Sequence, residues 1–234
     1  MRTLCLDGFG VFYSEQQGKW LHESALHNTV LDSLHWKLKR DKYEVEDLTL
    51  LARKCSKSLV SLRIHPCSLS LLGDAFRHVV RLEDFPRASM ILIVKLRELN
   101  LQYRHPRPIC WCSLIKSCPN LEVLYTKDQC GKGLEVIAQS CKKLPKLTHD
   151  GWVTYTGLIA LAEGCTNLEY LKVSNLKDMS NEAMECVGTH LRNLRKFSRI
   201  SDKIYGKTDI PLNNGIRVML MGCSKLERLH ISLY

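Results

Sequence analysis

The sequence predicts an α/β solenoid: a right-handed coil of repeats, with short parallel strands on the concave side and helices on the convex side. Three observations predict it. A phrase recurs, because Gly133-Leu-Glu-Val-Ile-Ala-Gln-Ser-Cys141 and Gly157-Leu-Ile-Ala-Leu-Ala-Glu-Gly-Cys165 share Gly-Leu-x-x-Φ-Ala-x-x-Cys, where Φ is aliphatic. Leucines follow each anchor at +3 and +6: Leu121 and Leu124 after Cys118, Leu144 and Leu147 after Cys141, Leu168 and Leu171 after Cys165, Leu226 and Leu229 after Cys223. Leu191 takes the anchor place before Leu194 and Phe197. The anchors are spaced by 23, 24, 26 and 32 residues. The first three steps lie in the range of about 20–29 residues that marks leucine-rich repeats. The last carries an insertion from Ser201 to Pro211.

Taken in chain order, Leu4 and Leu6 read as a strand. Asn28 occupies an anchor place before Leu31 and Leu34. Leu48, Leu51, Ala52 and Cys55 form a helix face, with Leu59 and Leu62 delayed by one residue. Val79 precedes Leu82 and Phe85, and Ile93 precedes Leu96 and Leu99. The step of 14 residues from 79 to 93 is too short for a repeat, so the sequence reads as irregular or missing near 84–90. Further on, Leu134, Ile137, Ala138 and Cys141 recur at i, i+3, i+4 and i+7, one face of a helix. Leu171-Lys-Val173 and Leu229-His-Ile231 alternate as strands do. One helix and one strand cannot bury their apolar faces alone, whereas stacked copies share a continuous core. We read residues 1–234 as a single fragment of such a solenoid, beginning and ending within the repeat array and without polar capping units.

Composition narrows the function. Hydrophobic residues make up 45% and charged residues 25% of the 234, which indicates a globular chain rather than a disordered one. No apolar run reaches the ~18 residues of a membrane span, and the N-terminus lacks a signal-peptide pattern. The expectation is a soluble protein of the nucleus and/or cytoplasm. Eleven cysteines would suggest disulfides in a short secreted chain. Here five of them, Cys55, Cys118, Cys141, Cys165 and Cys223, recur at one repeat position, so we expect buried free thiols in a reducing compartment. A net charge of +10 favours acidic partners. The cations are dispersed, however, and the densest stretch, Lys37 to Lys42, reads as a solvated turn. No nucleic-acid partner is expected.

Catalytic chemistry is not visible. Gly131-Lys-Gly133 lacks the spacing of a phosphate-binding loop. His105, Cys110, Cys112 and Cys118 match no common zinc pattern, and Cys118 already has a core role, so no metal site is expected. The nine histidines show no pairing with a nucleophile. The chain therefore reads as a non-catalytic binding scaffold. Trp20, Trp36 and Trp152 read as core or repeat-edge residues. Trp152 lies in the segment from His149 to Tyr155, which leads from a strand into a helix and would rim a binding surface.

Four longer phrases add a resemblance: Lys19-Trp-Leu-His-Glu-Ser-Ala-Leu-His-Asn-Thr-Val-Leu31, Cys118-Pro-Asn-Leu-Glu-Val-Leu124, Gly157 to Cys165, and Thr208-Asp-Ile-Pro-Leu-Asn-Asn-Gly-Ile-Arg217. By these the chain resembles the coronatine-insensitive F-box/leucine-rich-repeat proteins of plants, which are jasmonate receptors. The resemblance implies a substrate receptor of an SCF-type, cullin-based ubiquitin ligase. In that family an F-box docks the Skp adaptor. The solenoid holds jasmonoyl-isoleucine beside an inositol polyphosphate, and jasmonate-ZIM-domain repressors are recruited for degradation. This chain departs from the pattern. No F-box helices precede Met1, and Thr148, Ser174, Ser198 and Ser232 stand where the family has Arg, Tyr, Arg and Tyr. Arg199 is the one neighbouring cation, and it should point to the opposite strand face from Ser198. Impaired hormone and adaptor binding is therefore expected. A plain protein-interaction scaffold, a non-functional gene fragment and an acidic-ligand binding module remain the alternatives.

Overall fold

A computed structural model of the chain describes residues 2–7, 19–27, 30–37, 47, 50–51, 54–55, 58–64, 96–101, 115, 118–128, 132–175, 180–200 and 213–232. They fall into two compact units, Met1–Cys118 and Pro119–Tyr234.

In the first unit, β1 (Thr3–Asp7), β2 (Ser33–Lys37), β3 (Ser61–Ile64) and β4 (Glu98–Leu101) are parallel neighbours, and α1 spans Lys19–His27. Their register aligns the predicted leucines, Leu4 with Leu34, Leu34 with Leu62 and Leu62 with Leu99. All four are buried, as are Leu31, Leu51, Cys55, Leu59 and Leu96. Each strand entry repeats one device. A single carbonyl accepts two successive N–H groups of the next repeat: Arg2 from Asp32 and Ser33, Asp32 from Val60 and Ser61, Val60 from Arg97 and Glu98.

The second unit alternates β5 (Val123–Asp128), α2 (Gly133–Ser140), β6 (Lys146–Gly151), α3 (Tyr155–Gly164), β7 (Tyr170–Ser174), α4 (Asn181–His190), β8 (Lys196–Ile200), α5 (Asn213–Gly222) and β9 (Arg228–Ile231). All strand pairs are parallel, and one ladder runs Leu124, Leu147, Leu171, Phe197, Leu229. The predicted face of α2 is buried at Leu134, Ile137 and Ala138. Helices α3 and α4 begin at hydroxyl caps: Thr154 Oγ1 accepts from the Gly157 N–H at 3.0 Å, and Ser180 Oγ from the Ala183 N–H at 3.1 Å. Such a cap satisfies one of the four N–H groups that a helix start leaves open. Helices α2 and α3 approach so closely that a Cβ on Gly164 would sit 2.5 Å from the Ala138 carbonyl oxygen. Glycine is required there by space alone.

The anchor residues share one burial state. Cys118, Cys141, Cys165 and Cys223 are all buried, and Leu191 with them. Leu121, Leu144, Leu168, Leu194 and Phe197 are buried as expected. Leu226 and Leu229 depart from the expectation, being only half-buried. Among the described residues no element stacks beyond β9, so these leucines are covered from one side. Asn28, Leu48, Ala52, the stretch 79–93 with its irregularity near 84–90, His105, Cys110, Cys112 and the insertion 201–211 lie outside the described residues, as do the side chains of Trp20 and Trp36. Among the described residues, no helix is long and apolar enough to cross a membrane.

Candidate recognition face

Strand alternation sends the leucine ladder of β5–β9 toward the helices and the intervening residues to the open face. Register then aligns the open-face residues into rows across the strands. One row is Val123, Lys146, Tyr170, Lys196, Arg228, and the next is Tyr125, Thr148, Lys172, Ser198, His230. Thr148 and Ser198 thus lie in the second row. Ser174, two residues beyond Lys172, and Ser232, two beyond His230, lie in the row after it. All four substituted positions named above therefore share one surface. Thr148 is 7% exposed, sheltered between Tyr125 and Lys172. Arg199 lies on the opposite face from Ser198, as alternation requires. It is 3% exposed and donates to the Ser232 carbonyl at 2.9 Å. Burial pulls its pKa below the usual guanidinium value.

The open face is cationic. Lys146 Nζ sits 5.8 Å from the centre of the Tyr125 ring and 5.3 Å from that of Tyr170, within cation–π range. Lys127 is ion-paired with Asp150. Among the described residues Lys146, Lys172, Lys196 and Arg228 have no ion-pair partner. One position upstream the charge changes character: Arg195 bridges Glu169 at 3.8 Å and Glu227 at 2.7 Å. That mixed edge bounds the cationic strip. The strip was legible in the sequence and was missed there. Position +5 from each anchor is Val123, Lys146, Tyr170, Lys196 and Arg228, so the leucine phase that located the core also located these side chains.

Two further features flank the strip. Thr126 Oγ1 and His149 Nδ1 form a fully buried hydrogen-bonded pair, 2.8 Å apart, on the leucine face of β5 and β6. His149 reads from sequence as the start of a loop, but β6 continues through Asp150 to Gly151. Gly151, with φ of 151°, then turns the chain in a conformation that suits glycine. The loop beyond displays Trp152, 43% exposed, and Tyr155 at the start of α3 is exposed as well.

Three of the buried anchor cysteines have no reactive character. Burial pushes Cys141 and Cys165 up to about 12 and Cys223 up to about 11, so they are protonated at neutral pH. As S–H donors, two of them reach back one repeat. Cys165 Sγ lies 3.2 Å from the Cys141 carbonyl, and Cys223 Sγ lies 3.8 Å from the Val187 carbonyl. None of the described cysteines is in a disulfide.

No protein-family model matches the chain. It is 38% identical over 267 residues to coronatine-insensitive protein 1 of Arabidopsis thaliana, a match covering 92% of this chain and 45% of that protein. It is 33% identical over 282 residues to coronatine-insensitive protein homolog 1a of Oryza sativa subsp. indica, covering 100% of this chain and 47% of that one. The chain belongs to the coronatine-insensitive protein family. A more distant similarity, 28% over 165 residues, links it to the F-box protein FBX14 of Arabidopsis thaliana, with 64% of this chain covered and 26% of that protein. The chain spans about half the length of the coronatine-insensitive relatives it matches.

Proposed function

We propose that this chain is the protein-recognition portion of a substrate receptor for an SCF-type ubiquitin ligase acting in the nucleus and/or cytoplasm, and that it is impaired in binding jasmonoyl-isoleucine. Its protein partners are of the jasmonate-ZIM-domain repressor class, with docking to the Skp adaptor assigned to an F-box rather than to these repeats. The observation that carries the reading is the gathering of Thr148, Ser174, Ser198 and Ser232 on one face of β5–β9. A hormone carboxylate in a partly dry pocket needs charged or strongly donating partners. Charge-assisted hydrogen bonds contribute roughly 1.5–3 kcal/mol each. Losing two of them weakens binding by ~3–6 kcal/mol, roughly a hundred- to ten-thousand-fold. Arg199 does not compensate from the leucine face, where its guanidinium is engaged with the Ser232 carbonyl. An inositol polyphosphate, which the resemblance implies, would find its counter-charge at Lys146, Lys172, Lys196 and Arg228.

Calorimetry with jasmonoyl-isoleucine, with and without a repressor peptide, tests the proposal. The expected result is no hormone binding in the micromolar range, and repressor-peptide binding that hormone does not strengthen. Micromolar or tighter hormone binding overturns the claim of a weakened pocket. Failure of the peptide to bind at all favours a plain interaction scaffold with other partners.

A further inference from the structure

Helices α3 and α4 carry a cluster that the recognition face does not use. Cys186 and His190 are four residues apart on α4 and so project from one face, one turn apart. Glu163, from the last turn of α3, meets them across the helix pair. The Cys186 sulfur, a ring nitrogen of His190 and a carboxylate oxygen of Glu163 all lie within 4.8 Å of one another. We propose that Glu163, Cys186 and His190 form a zinc(II) site that clamps α3 to α4.

The donor set carries the choice of metal. Thiolate, imidazole and carboxylate together suit a borderline-soft cation, whereas calcium and magnesium take oxygen ligands. A tetrahedral zinc with bonds of about 2.0–2.3 Å holds its ligand atoms roughly 3.3–3.8 Å apart. The present spacing exceeds that separation by at most about 1.5 Å. Three protein ligands leave a fourth position for water. The local field favours a cation as well. Glu163 and Glu182 both act on the Cys186 sulfur as negative charges. Glu163 and His190 stand in the last turns of α3 (Tyr155–Gly164) and α4 (Asn181–His190), where the helix dipoles present their negative ends. Among the described residues, the polar contact of the Cys186 thiol is a long one, 3.9 Å to the Ile159 carbonyl, so little is lost when it binds a metal. On binding, the thiol proton passes to solvent and the sulfur's lone pair goes to zinc.

Cobalt(II) titration of the full chain under reducing conditions is the test, read by the tetrahedral ligand-field bands and the thiolate-to-cobalt charge-transfer band. The expected result is one equivalent of cobalt, displaced by zinc. Cys186→Ser abolishes the charge-transfer band, while His190→Gln and Glu163→Gln weaken zinc affinity by at least the roughly 10- to 100-fold that disturbing a metal's surroundings costs. Cys5→Ser is the control, because Cys5 and His35 form another thiol–imidazole pair, 3.4 Å apart. If Cys186→Ser does not fold, His190→Gln decides by the same titration. A band that survives Cys186→Ser, one that disappears in Cys5→Ser, or zinc affinity unchanged in both His190→Gln and Glu163→Gln overturns the proposal.

Discussion

Two repeats with the same phrase differ in how well they are buried. In the repeat anchored at Cys165, Leu168 and Leu171 have no exposed surface. In the repeat anchored at Cys223, Leu226 and Leu229 occupy the same phase and are half-buried, while Leu220 and Met221 on α5 are 49% and 73% exposed. The motif sets the direction in which a leucine points. Neighbours on both sides decide how much water it loses. The Cys165 repeat lies between α2–β6 and α4–β8, whereas no described element packs beyond α5–β9.

The comparison can be broken most directly by truncating equivalent leucines. Leu168→Ala should cost ~2–5 kcal/mol, since it leaves a cavity in a closed core. Leu229→Ala should cost less than about half of that, because solvent already reaches the site. Denaturant unfolding of the two variants measures the difference, and equal losses would mean that β9 is as well covered as β7. Next in size is Gly164→Ala. A methyl 2.5 Å from the Ala138 carbonyl forces α2 and α3 apart, at a cost of ~1–3 kcal/mol by the same measurement. Thr154→Ala removes the α3 cap that accepts from Gly157 and should cost ~1 kcal/mol, visible as a lowered Tm.

The smallest expected effect is a pH dependence that separates the same repeats. Burial raises the folded-state pKa of Cys141 and Cys165 to about 12 and of Cys223 to about 11, from an ordinary 9.0. The folded state then binds more protons than the unfolded state above pH 9. The stability from these thiols is fully present below pH 9 and is lost as pH rises, through about 11 for Cys223 and about 12 for the other two. From pH 9 to 10 the loss is on the order of 1 kcal/mol per thiol at most. Cys165→Ala should flatten the decline in a series of unfolding curves, and an unchanged slope would show that the thiol is not shielded from water.

Much of this protein was legible in one dimension. The anchors 118, 141, 165, 191 and 223 followed by paired leucines located the core, because a repeat unit that cannot bury itself must keep its apolar phase. The same phase held the cationic strip at +5, from Lys146 to Arg228, although charge counted along the chain looked dispersed. Open-face residues such as Thr148, Ser174, Ser198 and Ser232 could be placed by alternation alone. Other features had no linear signature. Nothing in the sequence pairs Cys186 and His190 with Glu163, which α3 brings beside them from 23 residues upstream of Cys186. His149 read as a loop residue until register with β5 supplied Thr126 as its buried partner. The half-buried state of Leu226 and Leu229 was equally invisible in their motif. Sequence determined each repeat's fold and facing, since these follow from local periodicity. Tertiary structure decided which side chains meet across repeats and how dry each becomes, since both depend on what is stacked on either side.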